Sequence, residues 1–401
     1  MKAGFGRMSI TPEKSMTLAG FDRRTQPAQG TLDDLFVSVL LLEDTAGGRA
    51  ALCSFDLLGA DRALCQKVRE ALPLPADRVW VCATHTHSAP RGAFSGGISQ
   101  DDEYIASIVS ACRGAFCAAE ESLAPADALF GEAAVDGVAS LRDVPRAESA
   151  FAMPLQTLVL RCAEDQLRLV RFACHPTVLS EDNLCYARDL PGGAESGPTL
   201  WLNGPCADLS TRFTREKSGW TEVQRLGSRM KTALENTELR PLPDFGNTIR
   251  AHQMELVLPY GGSLRGDARQ ALLDRLREQA AACTDAAARR ETESCIAVLE
   301  REERALPDTR TVTVSAWDVG SLALIGLPFE VSWRDGAALE AQAAALCRKP
   351  ALLVCYCNGY DGYLPHETTG INYQDLATGY LPEARAMIWN GALECVNHTQ
   401  R

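Results

Sequence analysis

Short apolar runs of strand length recur from one end of this chain to the other, and helical stretches or tight polar turns separate them. FVSVLLLE (36–43), ALCSFDLLG (51–59), VWVCATH (79–85), PLQTLVLRC (154–162), LRLVRFACH (167–175), TVTVSAWDVG (311–320), SLALIGLP (321–328) and ALLVCYCN (351–358) are such runs. Helical periodicity or composition marks the stretches beginning at Asp61, Ser99, Gly219, Asp267, Ala337 and Glu383. Asp61 stands where a helix cap belongs. Strand and helix mixed throughout, without a composition break, predict an α/β body of mixed α+β layers. The expected arrangement is one large domain over 1–401, with mixed sheets flanked by helices. The first 30 residues read as a loop-rich lead-in, and Asn183–Trp201 as loop or short elements. The Ala, Glu and Arg-rich segment at about 264–306 reads as a helical insertion, either one long helix or a helical hairpin.

Charge and cysteine usage narrow the classes. The 401 residues hold 40 Lys plus Arg against 52 Asp plus Glu, a formal charge of −12. That balance gives no support to a nucleic-acid binder, which needs basic surface to neutralise phosphate. No apolar run reaches the roughly 18 to 20 residues that span a bilayer, and the N-terminus has no apolar core of a secretory signal. The fifteen cysteines are odd in number, include no CxxC pair and sit mostly in apolar runs. They read as buried thiols in a reducing compartment, hence a cytoplasmic protein. Strand alternation puts Cys355 and Cys357 on one side of their run.

Six histidines exist, and three share one context. His85 and His87 lie in THTHSAP directly after VWVCA, and His175 closes LVRFACHP. Residues two apart in extended chain face the same side, so both imidazoles of the His-x-His could enter one pocket. Sheet ends of this kind are where α/β proteins present their sites. Neutral imidazole suits a divalent metal such as zinc. Glu330 ends another apolar run, SLALIGLPFE, where a carboxylate is costly unless paired or metal-bound. Tyr360 and Tyr363 follow ALLVCYCN and could ligate a cation or stabilise negative charge. In LNGPCADLSTR, Asp208 and Ser210 could orient a water or simply cap the next turn; Asp189 in ARDLPGG is a supporting acid or a turn residue. His252, His366 and His398 have ordinary readings, in a strand, near Tyr363 and in a polar tail respectively.

The ordered set THTHSAP, FACHPT, NGPCADLS, GLPFEV and NGYDGYLPHE, preceded by SITP and LAGF, resembles the neutral/alkaline non-lysosomal ceramidase family. The resemblance implies a zinc-dependent amidase. It assigns Zn2+ to His85, His175, Glu330 and Tyr363, carbonyl stabilisation to His87, and an active-site role to Ser210. Asp189 and Asp208 are then candidates to orient the ligating imidazoles. Departures are Ala207 before Asp208, Thr211-Arg212 after Ser210, Ser88-Ala89-Pro90, Phe329 before Glu330, and LPHETTGINYQ after Tyr363. The family's C-terminal immunoglobulin-like domain is not expected. The implied partner is a small-molecule or lipid-like N-acyl substrate, with a homo-oligomer left open. A metal-dependent lactonase or esterase, or a non-catalytic binding protein on the same scaffold, are the alternatives.

Overall fold

Three mixed sheets repeat one device: each ends in a pair of parallel strands. The chain's structure, a computed structural model, describes residues 1–21, 23–93, 101–142, 144, 148–149, 151–162, 166–261, 266–300, 307–364 and 373–401. In the first sheet Val79–Ala83 pairs parallel with Arg49–Phe55, followed by antiparallel Phe36–Glu43, Lys2–Ser9 and Ala124–Pro125. In the second, Thr199–Asn203 pairs parallel with Gln166–Phe172, followed by antiparallel Met153–Arg161, Asp127–Val135 and Arg240–Pro241. In the third, Ala351–Val354 pairs parallel with Ala323–Gly326, followed by antiparallel Thr309–Asp318 and Arg250–Pro259.

Alternation along these strands builds a common seam. Leu40, Leu52 and Trp80 from the first sheet, Leu158, Leu169 and Leu202 from the second, and Trp317, Leu324 and Val354 from the third belong to one buried cluster. Trp80 and Trp317 rings lie 4.8 Å apart at its heart. The opposite faces are covered by helices. Arg62–Ala71 and Asp102–Glu121 cover the first sheet, Trp220–Glu235 the second, and Trp333–Cys347 with Glu383–Thr399 the third. Asp61 does cap the first of these, its Oδ1 accepting from the Leu64 N–H at 2.9 Å. The segment read as an insertion is a pair of helices, Gly266–Ala282 and Ala286–Glu300, with a small apolar cluster of its own.

Two expectations differ. The N-terminal lead-in contains a full strand, Lys2–Ser9, which Gly4 and Gly6 disguise in the sequence. Both glycines are needed because Asp102–Glu121 lies directly on them. An ideal Cβ on Gly4 or Gly6 would sit 1.9 Å from the Ala119 or Ala115 carbonyl oxygen. Cys355 and Cys357 do not share a side. The strand ends at Val354, and positive φ at Tyr356 (54°) turns the chain, so the two thiols enter different clusters. All fifteen cysteines are free thiols and eleven are buried.

Candidate active site

Every residue of the candidate centre follows the carboxyl end of a parallel-paired strand: His85 and His87 after Val79–Ala83, His175 after Gln166–Phe172, Glu330 after Ala323–Gly326, and Tyr360 and Tyr363 after Ala351–Val354. Asn203 ties these ends together. Its side chain donates to the carbonyls of Thr84 and Cys174 (both 3.3 Å), and its own carbonyl accepts from the Cys355 N–H at 3.0 Å. One buried residue, by side chain and backbone together, thus fixes the three sheets' exits relative to one another.

His85 adopts φ 65°, so the chain leaves the strand sharply rather than continuing extended. The two histidines converge all the same, with Nε2 atoms 3.4 Å apart. The His85 ring stacks on Tyr356 at 4.0 Å, and His175 meets it edge-on at 4.9 Å. His85 Nδ1 faces the Leu58 carbonyl at 2.7 Å, and His175 Nδ1 faces those of Cys206 and Leu209 at 2.8 and 2.9 Å. A carbonyl oxygen only accepts, so each Nδ1 carries the proton and each Nε2 presents a lone pair to the centre. Those lone pairs meet Glu330. His175 Nε2 lies 3.0 Å from Oε2 and His85 Nε2 lies 3.8 Å from Oε1. Two lone pairs directed at a carboxylate repel unless a proton or a cation lies between them. The donor set therefore fits a divalent ion, and two imidazoles with a carboxylate suit zinc.

Electrostatics agree with that geometry. Burial pushes His85 down to about 4, only partly opposed by Glu330, and pushes His87 well below the usual histidine range. Both rings are neutral at pH 7, as metal ligation requires. Burial alone would raise Glu330. The imidazolium form of His85, the contact with His175 and the Tyr360 hydroxyl, which donates to Oε1 at 2.7 Å, more than offset it and hold the carboxyl well below its normal range. The Tyr363 hydroxyl is raised by burial and accepts from the Arg142 guanidinium at 3.0 Å. Tyr363 is locked to Glu330 through the backbone: Glu330 N–H donates to the Gly362 carbonyl, and Leu364 N–H to the Glu330 carbonyl, both at 2.9 Å.

His87 is held from outside by the N-terminal segment. Gly20 lies flat against its ring, where a Cβ would come within 2.5 Å of Cγ and Nδ1. Phe21 meets the ring edge-on at 5.0 Å, and Arg24 donates to the His87 carbonyl. His87 Nδ1 is buried without a hydrogen-bond partner among the described residues. His85, His87 and His175 each bring a ligand nitrogen within 4.8 Å of the others.

No family model matches this sequence, and no curated protein matches it. Solved structures do. The chain superposes on the crystal structure of neutral ceramidase from Pseudomonas aeruginosa with a TM-score of 0.77 at 17% identity, over 99% of this chain and 74% of that one. A ceramidase complexed with C2 gives 0.78 at 16% identity, over 100% of this chain and 75% of that chain. This chain has the neutral ceramidase fold.

Within the ceramidase fold, the other residues singled out in the sequence lie as follows. Ser210 is buried and bridges by backbone to His175; its Oγ accepts from the Arg212 N–H at 3.2 Å. Asp208 Oδ1 accepts from the Trp333 N–H at 2.7 Å, at the start of the helix that follows Glu330. Asp189 is fully buried, and its carboxylate accepts from the N–H groups of Val178, Leu179 and Leu190. It shapes the loop after His175. Burial raises it to about 6 against the lowering effect of those donors. At both Nδ1 positions, the orienting partners are the backbone carbonyls of Leu58, Cys206 and Leu209. His252 and His398 stack on each other at 4.4 Å, on the third sheet and its covering helix. His366 lies outside the described residues. Arg142 carries no motif that the sequence reading could have used, whereas Gly20 and Phe21 lie in the LAGF segment, quoted there without a role.

Proposed function

We propose that the protein is a zinc-dependent amidohydrolase that cleaves the C–N bond of an N-acyl compound. The observation that carries this reading is the pair of Nε2 lone pairs, each fixed by a backbone carbonyl behind the ring, that meet one carboxylate inside a ceramidase fold. His85, His175 and Glu330 would hold the ion, with Tyr363 as the fourth ligand. Bound there, zinc would supply Lewis acidity that polarises the amide carbonyl and acidifies a water. Arg142 beside Tyr363 favours the phenolate that burial disfavours. His87, neutral and with spare hydrogen-bonding capacity, is placed to donate to the carbonyl oxygen as negative charge develops there. Tyr360 holds the Glu330 carboxylate, and Ser210 positions substrate or water beside His175. Eleven buried free thiols among fifteen fit a reducing, cytoplasmic setting. Among the described residues no helix is long and apolar enough to cross a membrane.

The test is elemental analysis with an activity panel. The purified protein should contain about one zinc per chain, and His175→Ala should lose it, because one of the four proposed ligands disappears with the ring. A panel of N-acyl amides, lactones and simple esters should show turnover of amides. Stoichiometric zinc in the His175→Ala protein overturns the site. Turnover confined to lactones or esters overturns the amide assignment.

A further inference from the structure

The paired helices Gly266–Ala282 and Ala286–Glu300 are joined to three loops that border the centre. Glu293 pairs with Arg23 at 3.3 Å, two residues beyond the Phe21 that abuts His87. Arg290 pairs with Glu181, in the loop that follows His175. Glu291 pairs with Arg212 at 2.6 Å, two residues beyond Ser210. The apolar side of the hairpin, with Leu272, Leu276 and Leu299, packs with Tyr373, whose ring meets that of Tyr363 edge-on at 5.8 Å. Glu291 also acts on Arg142, the partner of Tyr363. Three rim segments, those following Phe21, His175 and Ser210, are thus tied to the helix Ala286–Glu300 by charge.

We propose that this hairpin is an ionically latched cap over the His–Glu centre, which admits N-acyl substrates dissolved in water and excludes those held in a bilayer. The substrate class rests on the amidohydrolase reading above; the cap does not. Two observations carry the proposal. The three latches are part-exposed pairs, with side-chain exposures of 53 and 30%, 54 and 26%, and 23 and 41%, the kind that salt screens. Secondly, the large exposed apolar side chains among the described residues are Met8, Leu32, Val257, Leu346 and Met387, and none lies on the hairpin or on the loops it latches. An enzyme that takes its substrate from a membrane needs an apolar rim to enter the interface.

Access can be read without activity. Diethyl pyrocarbonate acylates neutral imidazole, and mass spectrometry of the metal-free protein follows His87, with the part-exposed His398 as internal control. In the wild-type chain, raising NaCl from about 20 to about 500 mM should accelerate His87 labelling about threefold or more. In the Glu181→Gln/Glu291→Gln/Glu293→Gln variant, labelling should already be fast at low salt and insensitive to it, with His398 unchanged. Equal His87 rates in variant and wild type at low salt overturn the cap. For the zinc-loaded wild type, a short-chain N-acyl amide in buffer should exceed a long-chain one in phosphatidylcholine vesicles by at least about tenfold in kcat/KM. Faster cleavage of the vesicle substrate overturns the substrate class. Accelerated labelling with no amide cleaved supports the cap and sinks the amidase reading instead.

Discussion

At the scale of single residues, the centre is a set of groups whose protonation is decided by burial and by backbone carbonyls. His85 is neutral in the fold and ordinary when unfolded, so its pKa falls from 6.5 to about 4 on folding. A group depressed in this way stabilises the native state above its unfolded pKa, and that contribution is lost as pH falls toward the folded value. The unfolded chain takes up the proton first. The metal-free protein should therefore lose stability between pH 6.5 and about 4, by roughly 3 kcal/mol from this ring at about 1.36 kcal/mol per unit. Urea unfolding at a series of pH values measures it. Constant stability through that window would show that His85 is not buried neutral. The sequence named His85, His87, His175 and Glu330 because each ends an apolar strand. It expected the His-x-His to converge through strand alternation, whereas a positive φ at His85 brings the rings together. Nothing in the residue types could reveal that, since left-handed backbone at a histidine is a tertiary requirement.

Among elements, the N-terminal strand Lys2–Ser9 and the helix Asp102–Glu121 meet backbone to backbone. Gly6 gives up side-chain packing so that the helix backbone can lie on the sheet. Gly6→Ala places a methyl where the Ala115 carbonyl already stands, and the helix must lift along its length. The expected loss is about 1 to 3 kcal/mol, the range for overpacking, with the larger end favoured because the obstacle is backbone. Chemical denaturation of the variant checks it, and an unchanged midpoint would mean that the helix is free to shift. The same glycines explain why this strand read as loop: glycine in a pattern signals a breaker unless something is known to press against it. The helices at 62, 220, 333 and 383 are legible because they need only local periodicity and composition.

For the molecule as a whole, the three sheets must hold a common angle if their exits are to meet. Arg171 does part of this. Fully buried, it donates from Nε to the Leu353 carbonyl at 2.7 Å in the third sheet, to Gln156 at 2.8 Å in its own sheet, and to Glu340 on the helix Trp333–Cys347. Arg171→Ala leaves Glu340, whose side chain is only 16% exposed, without its cation, and should cost about 3 kcal/mol. Adding Glu340→Ala should restore part of that, so the double variant is less destabilised than the sum of the singles. Strict additivity in a thermal or urea double-mutant cycle would show that the two do not act together. Zinc affinity should fall with Arg171→Ala as well, since His175 and Glu330 belong to the two sheets that it joins.

The sequence alone determined the fold class, most strand and helix positions and the residues that end the strands, because apolar periodicity and strand-terminal polar residues are local signals. It could not determine which groups orient the imidazoles. The carboxylates of Asp189 and Asp208 were the candidates, yet the carbonyls of Leu58, Cys206 and Leu209 stand at the Nδ1 atoms. A backbone carbonyl is present at every residue, so its use leaves no trace in residue type. The tertiary structure also decided where the charged hairpin sits, because long-range ion pairs are fixed by the packing of the three sheets beneath them and not by spacing along the chain.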